Sequence, residues 1–442
     1  MRILFYSTSS NFCDGKDLHT VTLPSCALQW ENLAQKYSEH EFIIATQLPG
    51  MFLVDSKETK IKKAKKIQYE IIKDDDEEKI AQFLASLKPE LALACSFYVT
   101  PFDWLSVKDS IVAENLNKLG IKTLCHPLDT TLACFDKHQT HGILEKYGIN
   151  CPKSLYIHHG LFINAGNRRE IKSNVYKSAV LKKLKTLRYP IIIKDTVGLS
   201  SYGMEVTENF EDALTFLKSK RHTSDRIAQE MKKGVHAGTE IYGSNGNYTV
   251  MPPFIFSVNK YGITSPKQSV KVGPVTNKNL KIPELNKMLI HLAKSLNFSG
   301  IAQVDLVFDG EDWFVIEINP RLSGMTATYA VSMGISTSEL IFNSFSENFP
   351  QRNFLLTVNI KFPILSEGEL LRLKKFNFVK TVNQIENSAA KQLRERGYCE
   401  VILCGKTKDE VQENLLTLKN SFELKNEEDF FTTAQKMIEE MF

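Results

Sequence analysis

Gly300-Ile-Ala-Gln-Val-Asp-Leu-Val-Phe308 and Trp313-Phe-Val-Ile-Glu-Ile-Asn319 are two apolar-rich stretches separated by a short polar segment containing Gly310. Such a pair predicts a β-hairpin, and side chains along each strand alternate between its two faces. In the first strand Ala302, Val304, Leu306 and Phe308 share one face, and Gln303 and Asp305 the other. In the second, Glu317 and Asn319 share a face, with Phe314, Ile316 and Ile318 opposite. A three-residue loop centred on Glu311 sets Asp305 across from Glu317. Two carboxylates facing each other in apolar strands repel, and they are costly to desolvate. A hard cation removes both penalties. With the Asn319 carbonyl they make an oxygen-only set of the kind Mg²⁺ takes together with water and phosphate oxygens. The competing reading is an exposed pair, or a pair neutralised by Arg321 and a lysine. Arg321 follows Asn319 closely, and Ser323-Gly-Met-Thr326 follows that. An arginine beside a metal–phosphate site can hold a second anion bidentately.

Upstream lies Tyr189-Pro-Ile-Ile-Ile-Lys194-Asp-Thr-Val-Gly198-Leu-Ser-Ser-Tyr-Gly203-Met-Glu-Val206. A β-branched strand ends in Lys194, and the Gly/Ser loop after it carries backbone N–H groups and hydroxyls suited to phosphates. Gly198 and Gly203 have Walker A spacing, but Met204-Glu205 stand where Lys-Ser/Thr is required, so this is no P-loop. As a bare hairpin turn the loop is unremarkable. So is Arg226-Ile-Ala-Gln-Glu230, a strand that could offer backbone groups to adenine and its terminal carboxylate to a ribose.

The rest of the chain narrows the field. Its 442 residues suffice for two to four domains, at roughly 100–200 residues each. A hydrophobic content of 43% and charged content of 24% exclude a largely disordered chain. A net charge of +4 gives no reason to expect nucleic acid or a membrane surface as partner, and no apolar run reaches the roughly 18 residues of a membrane span. The N-terminus turns polar at Ser7, too early for a signal peptide. The eight cysteines contain no CxxC pair and read as reduced, buried thiols of a cytoplasmic protein. His158-His159 and Cys151 lack a second ligand cluster at zinc spacing. The lysines of 60–66 precede the acidic block Asp74–Glu78 and read as solvated surface.

Over residues 1–125 short apolar strands (2–6, 42–46, 91–95, 121–125) alternate with helical stretches (26–37, 77–87, 103–119), which predicts a parallel α/β sheet. No GxGxxG follows the first strand, so a nicotinamide cofactor has no support. Asp136-Lys137-His138 opens a helix running to Tyr147. Strands of more antiparallel character follow to about Pro350, and two or three strands and a closing helix fill 355–442.

Asp136-Lys137, Lys194 with its loop, Glu230, Glu240, Lys271, Asp305 and Glu317-Ile-Asn319-Pro-Arg321 form an ordered set that resembles the ATP-grasp superfamily of carboxylate–amine ligases over about residues 120–345. Gly198–Met204 and Ser323–Thr326 are similar to the D-alanine–D-alanine ligase group. Asn319-Pro-Arg321, Lys271-Val-Gly-Pro274 and the tail around Gly397–Leu418 are closer to biotin carboxylase and the L-amino acid ligases. The resemblance implies an α/β chain with an α+β nucleotide part: an N-terminal α/β domain at 1–125, an ATP-grasp domain at 126–350 with a lid at about 153–231, and a C-terminal α/β domain at 351–442. It implies that Lys137 and Lys194 hold the α- and β-phosphates of ATP. Ser200, Ser201 and Gly203 would close over the phosphates, while Glu230, the backbone at Met231, and Glu240 would belong to the nucleotide site. Lys271, or Lys267 nearby, would reach the transferring phosphate. Asp305, Glu317 and Asn319 would bind one or two Mg²⁺, with Mn²⁺ as a substitute. Arg321 would hold the acceptor carboxylate, and Ser323, Gly324 and Thr326 would line the substrate. The expected activity is ATP-dependent amide formation through an acylphosphate, on an amino acid or small peptide. The rivals are a bicarbonate- or ribosylamine-using relative and a non-catalytic ATP-binding module. The expected partners are small molecules, with a homodimer by analogy.

Overall fold

The computed structural model describes residues 1–8, 18–47, 53–57, 60–97, 105–164, 174–197, 204–219, 223–259, 263, 269–344, 349, 353–387, 397–421 and 430–442. Among these residues the strands form three sheets.

The near-continuous apolar runs of the N-terminal part suit strands buried on both faces. Arg2–Ser7 pairs in parallel with Glu41–Thr46 on one side and Leu91–Ala94 on the other, and Gln68–Ile71 and Lys122–Leu124 complete a parallel sheet. Leu4 and Tyr6 point to the helices Glu77–Ser86 and Leu105–Lys118, through Ile80, Leu84, Val112 and Leu116. Ile3 and Phe5 point the other way, to Trp30 and Leu33 of the helix Cys26–Lys36. Asp76 caps its helix by accepting from the Lys79 N–H at 2.9 Å. Lys62, Lys63, Lys65 and Lys66 are exposed, as a solvated surface requires.

Neither Gln68–Ile71 nor Leu18–Leu23 is among the strands expected over residues 1–125. Leu18–Leu23 leaves the parallel sheet and pairs antiparallel with Val379–Asn387 near the other end of the chain. Its partner is so distant in sequence that no local pattern announces the pairing.

That strand belongs to a large antiparallel sheet. Trp313–Asn319 and Gly300–Phe308 lie at one edge, followed by Val235–Ser244, Phe254–Phe256, Ser269–Gly273, Leu356–Phe362, Gly397–Gly405 and Val379–Asn387. One face is backed first by the helix Ile282–Ser295, where Leu285, Leu289 and Leu292 meet Ala302, Val304 and Leu306. Farther along, the helices Lys408–Ser421 and Phe430–Met441 cover Val270, Val358 and Val401. The opposite face is crossed by the buried helix Gly324–Ser332, with Met325 and Tyr329 against Phe254, Ile402 and Cys404. This second face carries the polar groups discussed below.

The third sheet joins Glu205–Thr207, Ile191–Asp195, Arg226–Glu230 and Ser154–Ile157, all antiparallel. It has its own core, in which Ile157, Ile191, Ile193 and Ala228 pack on Phe162, Val180, Leu184 and Leu217 from three short helices. The seven cysteines among the described residues are free thiols.

Candidate active site

The hairpin forms, and Asp305 does pair with Glu317, by a different route from a three-residue loop. Phe308 pairs with Trp313, which leaves a four-residue loop, Asp309–Asp312. The Asp309 carboxylate accepts from the N–H groups of Glu311 at 3.1 Å and Asp312 at 2.9 Å, closing the loop. Unaltered, that register would set Asp305 across from Ile316. A β-bulge between the pairs Asp305–Glu317 and Leu306–Val315 inserts one residue and restores the match. The face assignment changes accordingly: Trp313, Val315 and Ile318 enter the core together, while Ile316 does not join them. The Trp313 Nε1–H donates to the Leu280 carbonyl at 2.6 Å and anchors the strand.

Burial raises the Asp305 carboxyl to about 7, and the Glu317 charge beside it adds to the effect. Burial also pushes Glu317 up, but Lys137, Lys194 and Arg321 outweigh it and leave that carboxyl below its ordinary range. The pair is therefore polarised, and a divalent cation would relieve the strain on Asp305. The donor set fits such a cation: two opposed carboxylates plus the Asn319 amide oxygen, which here accepts from Arg321 Nη2 at 3.1 Å.

Lysines converge on this pair from separate elements. Asp136 caps the helix Lys137–Lys146 by accepting from the His138 and Gln139 N–H groups, so Lys137 leads the helix, with Nζ 3.5 Å from Glu317. Lys194, near the end of its strand, donates to Gln229 Oε1 at 3.0 Å. Gln229 Nε2 donates in turn to His141 Nε2, whose Nδ1 meets Ser154 Oγ at 3.2 Å. Burial lowers Lys194 to about 8, with Glu317 opposing the shift. The His141, Glu145 and Cys151 donor atoms lie within 4.8 Å of one another, but both His141 nitrogens are already engaged. Lys271 lies two strands beyond Gly238, the residue paired with Asp305, and its Nζ is 3.8 Å from Glu400 Oε1. Burial lowers it as well, with Glu400 opposing.

Other expected residues have partners inside the fold. Glu240 is fully buried and accepts from Ser323 Oγ and Thr326 Oγ1, each at 2.7 Å, and from the Tyr242 hydroxyl at 2.5 Å. It thereby ties the first turn of the helix Gly324–Ser332 to the sheet. The Glu230 carboxylate accepts from the Arg188 N–H at 3.0 Å, and the Met231 N–H donates to the Pro190 carbonyl at 3.2 Å. Ser200, Ser201, Gly203 and Lys267 lie outside the described residues. Gln229, His141 and Glu400 carry no motif and were legible only once the strands were in register. The same holds for a cleft beyond the carboxyl ends of Leu91–Ala94 and Lys122–Leu124, where buried Asp109 lines the same space as Arg321.

Residues 134–325 match the ATP-grasp domain family. This chain carries an ATP-grasp domain. The matched span runs from just before Lys137 through Arg321 and so includes the whole converging set. The carbamoyl phosphate synthase large chain of Thermotoga neapolitana is 20% identical over 232 residues, covering 52% of this chain and 20% of that one. The chain thus spans about a fifth of the length of the carbamoyl phosphate synthase large chains it matches. In fold, the chain is similar to the L-amino acid ligase from Bacillus licheniformis, with a TM-score of 0.62 at 16% identity, covering 95% of this chain and 97% of that one. The biotin carboxylase domain of the Hydrogenobacter thermophilus 2-oxoglutarate carboxylase, crystallised with MgADP, ADP and bicarbonate, gives 0.60 at 10% identity, covering 99% and 93%. The ATP-grasp domain is therefore set in an α/β architecture shared along almost the whole chain.

Proposed function

We propose that the protein is an ATP-dependent carboxylate–amine ligase that forms an amide bond with release of ADP and phosphate. The observation that carries this reading is the register-matched Asp305–Glu317 pair, with Lys137 and Lys194 acting on it from two other elements and Arg321 from just past the second strand. A substrate carboxylate attacks the γ-phosphate of ATP, giving an acylphosphate and ADP. An amine then attacks the acyl carbon and expels phosphate. The first step depends on positioning and on positive charge where negative charge gathers.

Lys137 and Lys194 are the phosphate-holding cations, and the Gln229–His141 chain positions the second of them. Asp305, Glu317 and Asn319 are the residues that would hold Mg²⁺, which when bound supplies charge neutralisation at the phosphates. Arg321 lies beside them with a fork suited to a substrate carboxylate. The acylphosphate must be kept from water, and the separate sheet within 153–231 serves in this reading as the lid that closes over it.

The test is ADP release with Mg·ATP against single and paired amino acids, with bicarbonate and biotin as controls. Release that requires an amino acid, with a product lighter than the reactants by one water, establishes the ligase. Release with bicarbonate alone moves the enzyme to a carboxylating reaction. Silence with intact ATP binding sinks the catalytic reading.

A further inference from the structure

The polar face of the large sheet continues past Lys271 into the C-terminal strands. Strand registers set Lys271, Asn359 and Ile402 in one row and Ser269, Lys361, Glu400 and Asn383 in the next. The residues between them (Val270, Ile360 and Val401) point into the opposite core. Glu400, Asn359 and Asn383 are no more than 2% exposed. Four of their polar atoms have no hydrogen-bond partner: Glu400 Oε2, Asn359 Oδ1, and Oδ1 and Nδ2 of Asn383. Eight such atoms occur among the described side chains, so half of them gather on this one patch. A buried polar atom left unpaired is destabilising, and a cluster of them demands a reason.

The partners that do exist fix how the free atoms are presented. Asn359 Nδ2 donates to Thr328 Oγ1 at 2.7 Å, which leaves Oδ1 as an unused acceptor. Lys271 takes the Oε1 side of Glu400, and Oε2 stays free. Lys361 pairs with Glu400 in register, but its Nζ lies 3.6 Å from the centroid of the Tyr398 ring. Over the carboxylate lies Gly324, in the first turn of its helix. A Cβ there would come within 3.0 Å of Oε1 and 3.3 Å of Oε2, so the glycine lets the start of the helix lie close against the carboxylate.

Three of the four free atoms are acceptors, and one belongs to a carboxylate. An anion such as bicarbonate or a carboxylate would meet them unfavourably. An ammonium group, with its three N–H donors, matches them. Building on the ligase reading, we propose that Glu400, Asn359 and Asn383 form the subsite for the ammonium group of a substrate, an amino acid or ammonium itself. The subsite shares the sheet face of the Asp305–Glu317 pair, with Lys271 between them.

Calorimetric titration of the full chain tests this with ammonium chloride, glycine, L-alanine and L-lysine, and with lactate as the deaminated control. At least one ammonium compound should bind and lactate should not. Ammonium chloride binding alone would identify free ammonium as the ligand, and selective amino-acid binding would identify an amino acid. Asn383→Leu and Glu400→Gln should each weaken that binding roughly 10- to 100-fold, as loss of a charge-assisted hydrogen bond predicts. Asn383→Leu should also melt above the parent protein, because it removes unpaired polar atoms, and should leave Mg·ATP affinity within about twofold. Unchanged ammonium affinity in both variants would overturn the proposal, as would the absence of binding by every ammonium compound. Ammonium binding without ADP release would sink the ligase reading and leave the subsite standing.

Discussion

Glu240 is a buried carboxylate whose behaviour can be worked out in advance. It accepts three hydroxyl hydrogen bonds, and burial still raises it from 4.5 to about 7. A raised carboxyl holds its proton in the native state at pH values where the unfolded chain has released it. Its contribution to stability is therefore complete below pH 4.5 and is lost as the pH rises through 7. The interval is worth about 3 kcal/mol, most of which falls between pH 5 and pH 8. Glu240→Gln keeps an acceptor for Ser323 and Thr326 and lacks the titration. Urea unfolding of both proteins at the two pH values should show the stability difference moving toward the glutamine variant by about 2–3 kcal/mol from pH 5 to pH 8. A difference independent of pH, or one moving toward the parent at pH 8, would refute the reasoning. The three hydroxyls would then stabilise the ionised form more than burial opposes it.

Four further outcomes are expected. Asp305→Asn should raise the melting temperature without added metal, because it removes the repulsion with Glu317, while Mg·ATP turnover falls by roughly 10²- to 10³-fold. Differential scanning with and without Mg²⁺ should show the parent stabilised and the variant not. Gln229→Leu takes away the partner of Lys194 and should raise the KM for ATP about tenfold, with little change in far-UV circular dichroism. Trp313→Phe loses the bond to the Leu280 carbonyl and should cost about 1–3 kcal/mol in urea unfolding. His126 is buried, accepting from the Ser299 N–H and meeting the Ile301 carbonyl, and burial lowers it from 6.5 to about 4. The unfolded chain takes up that proton first, so this stability is complete above pH 6.5 and lost as the pH falls toward 4. In His126→Gln the acid limb of the stability curve should flatten by about 3 kcal/mol, read by unfolding between pH 4 and pH 7.

Legibility in the sequence followed the range of the interactions involved. The helices at Cys26, Glu77 and Lys137 were readable from apolar spacing and capping residues, which act within a few positions. The Asp305–Glu317 match was readable because a hairpin brings neighbours in sequence into register. The four-residue loop and the bulge were not, since two offsets that cancel leave the same pair facing. The resemblance assigned Glu240 to the nucleotide site, and only the fold showed its carboxylate tying down Ser323 and Thr326.

By itself, the sequence determined the α/β character of the first part, the hairpin that pairs Asp305 with Glu317 and the order of charged residues that marks an ATP-grasp domain. Each depends on periodicity or on residues close together along the chain. Only the tertiary structure decided that Lys194 is held by Gln229 and His141, and that Leu18–Leu23 closes onto a C-terminal strand. It alone set Glu400, Asn359 and Asn383 side by side on the face that carries Asp305. Those neighbours come from strands far apart in sequence, and the backbone hydrogen bonds that fix their register carry no side-chain signature.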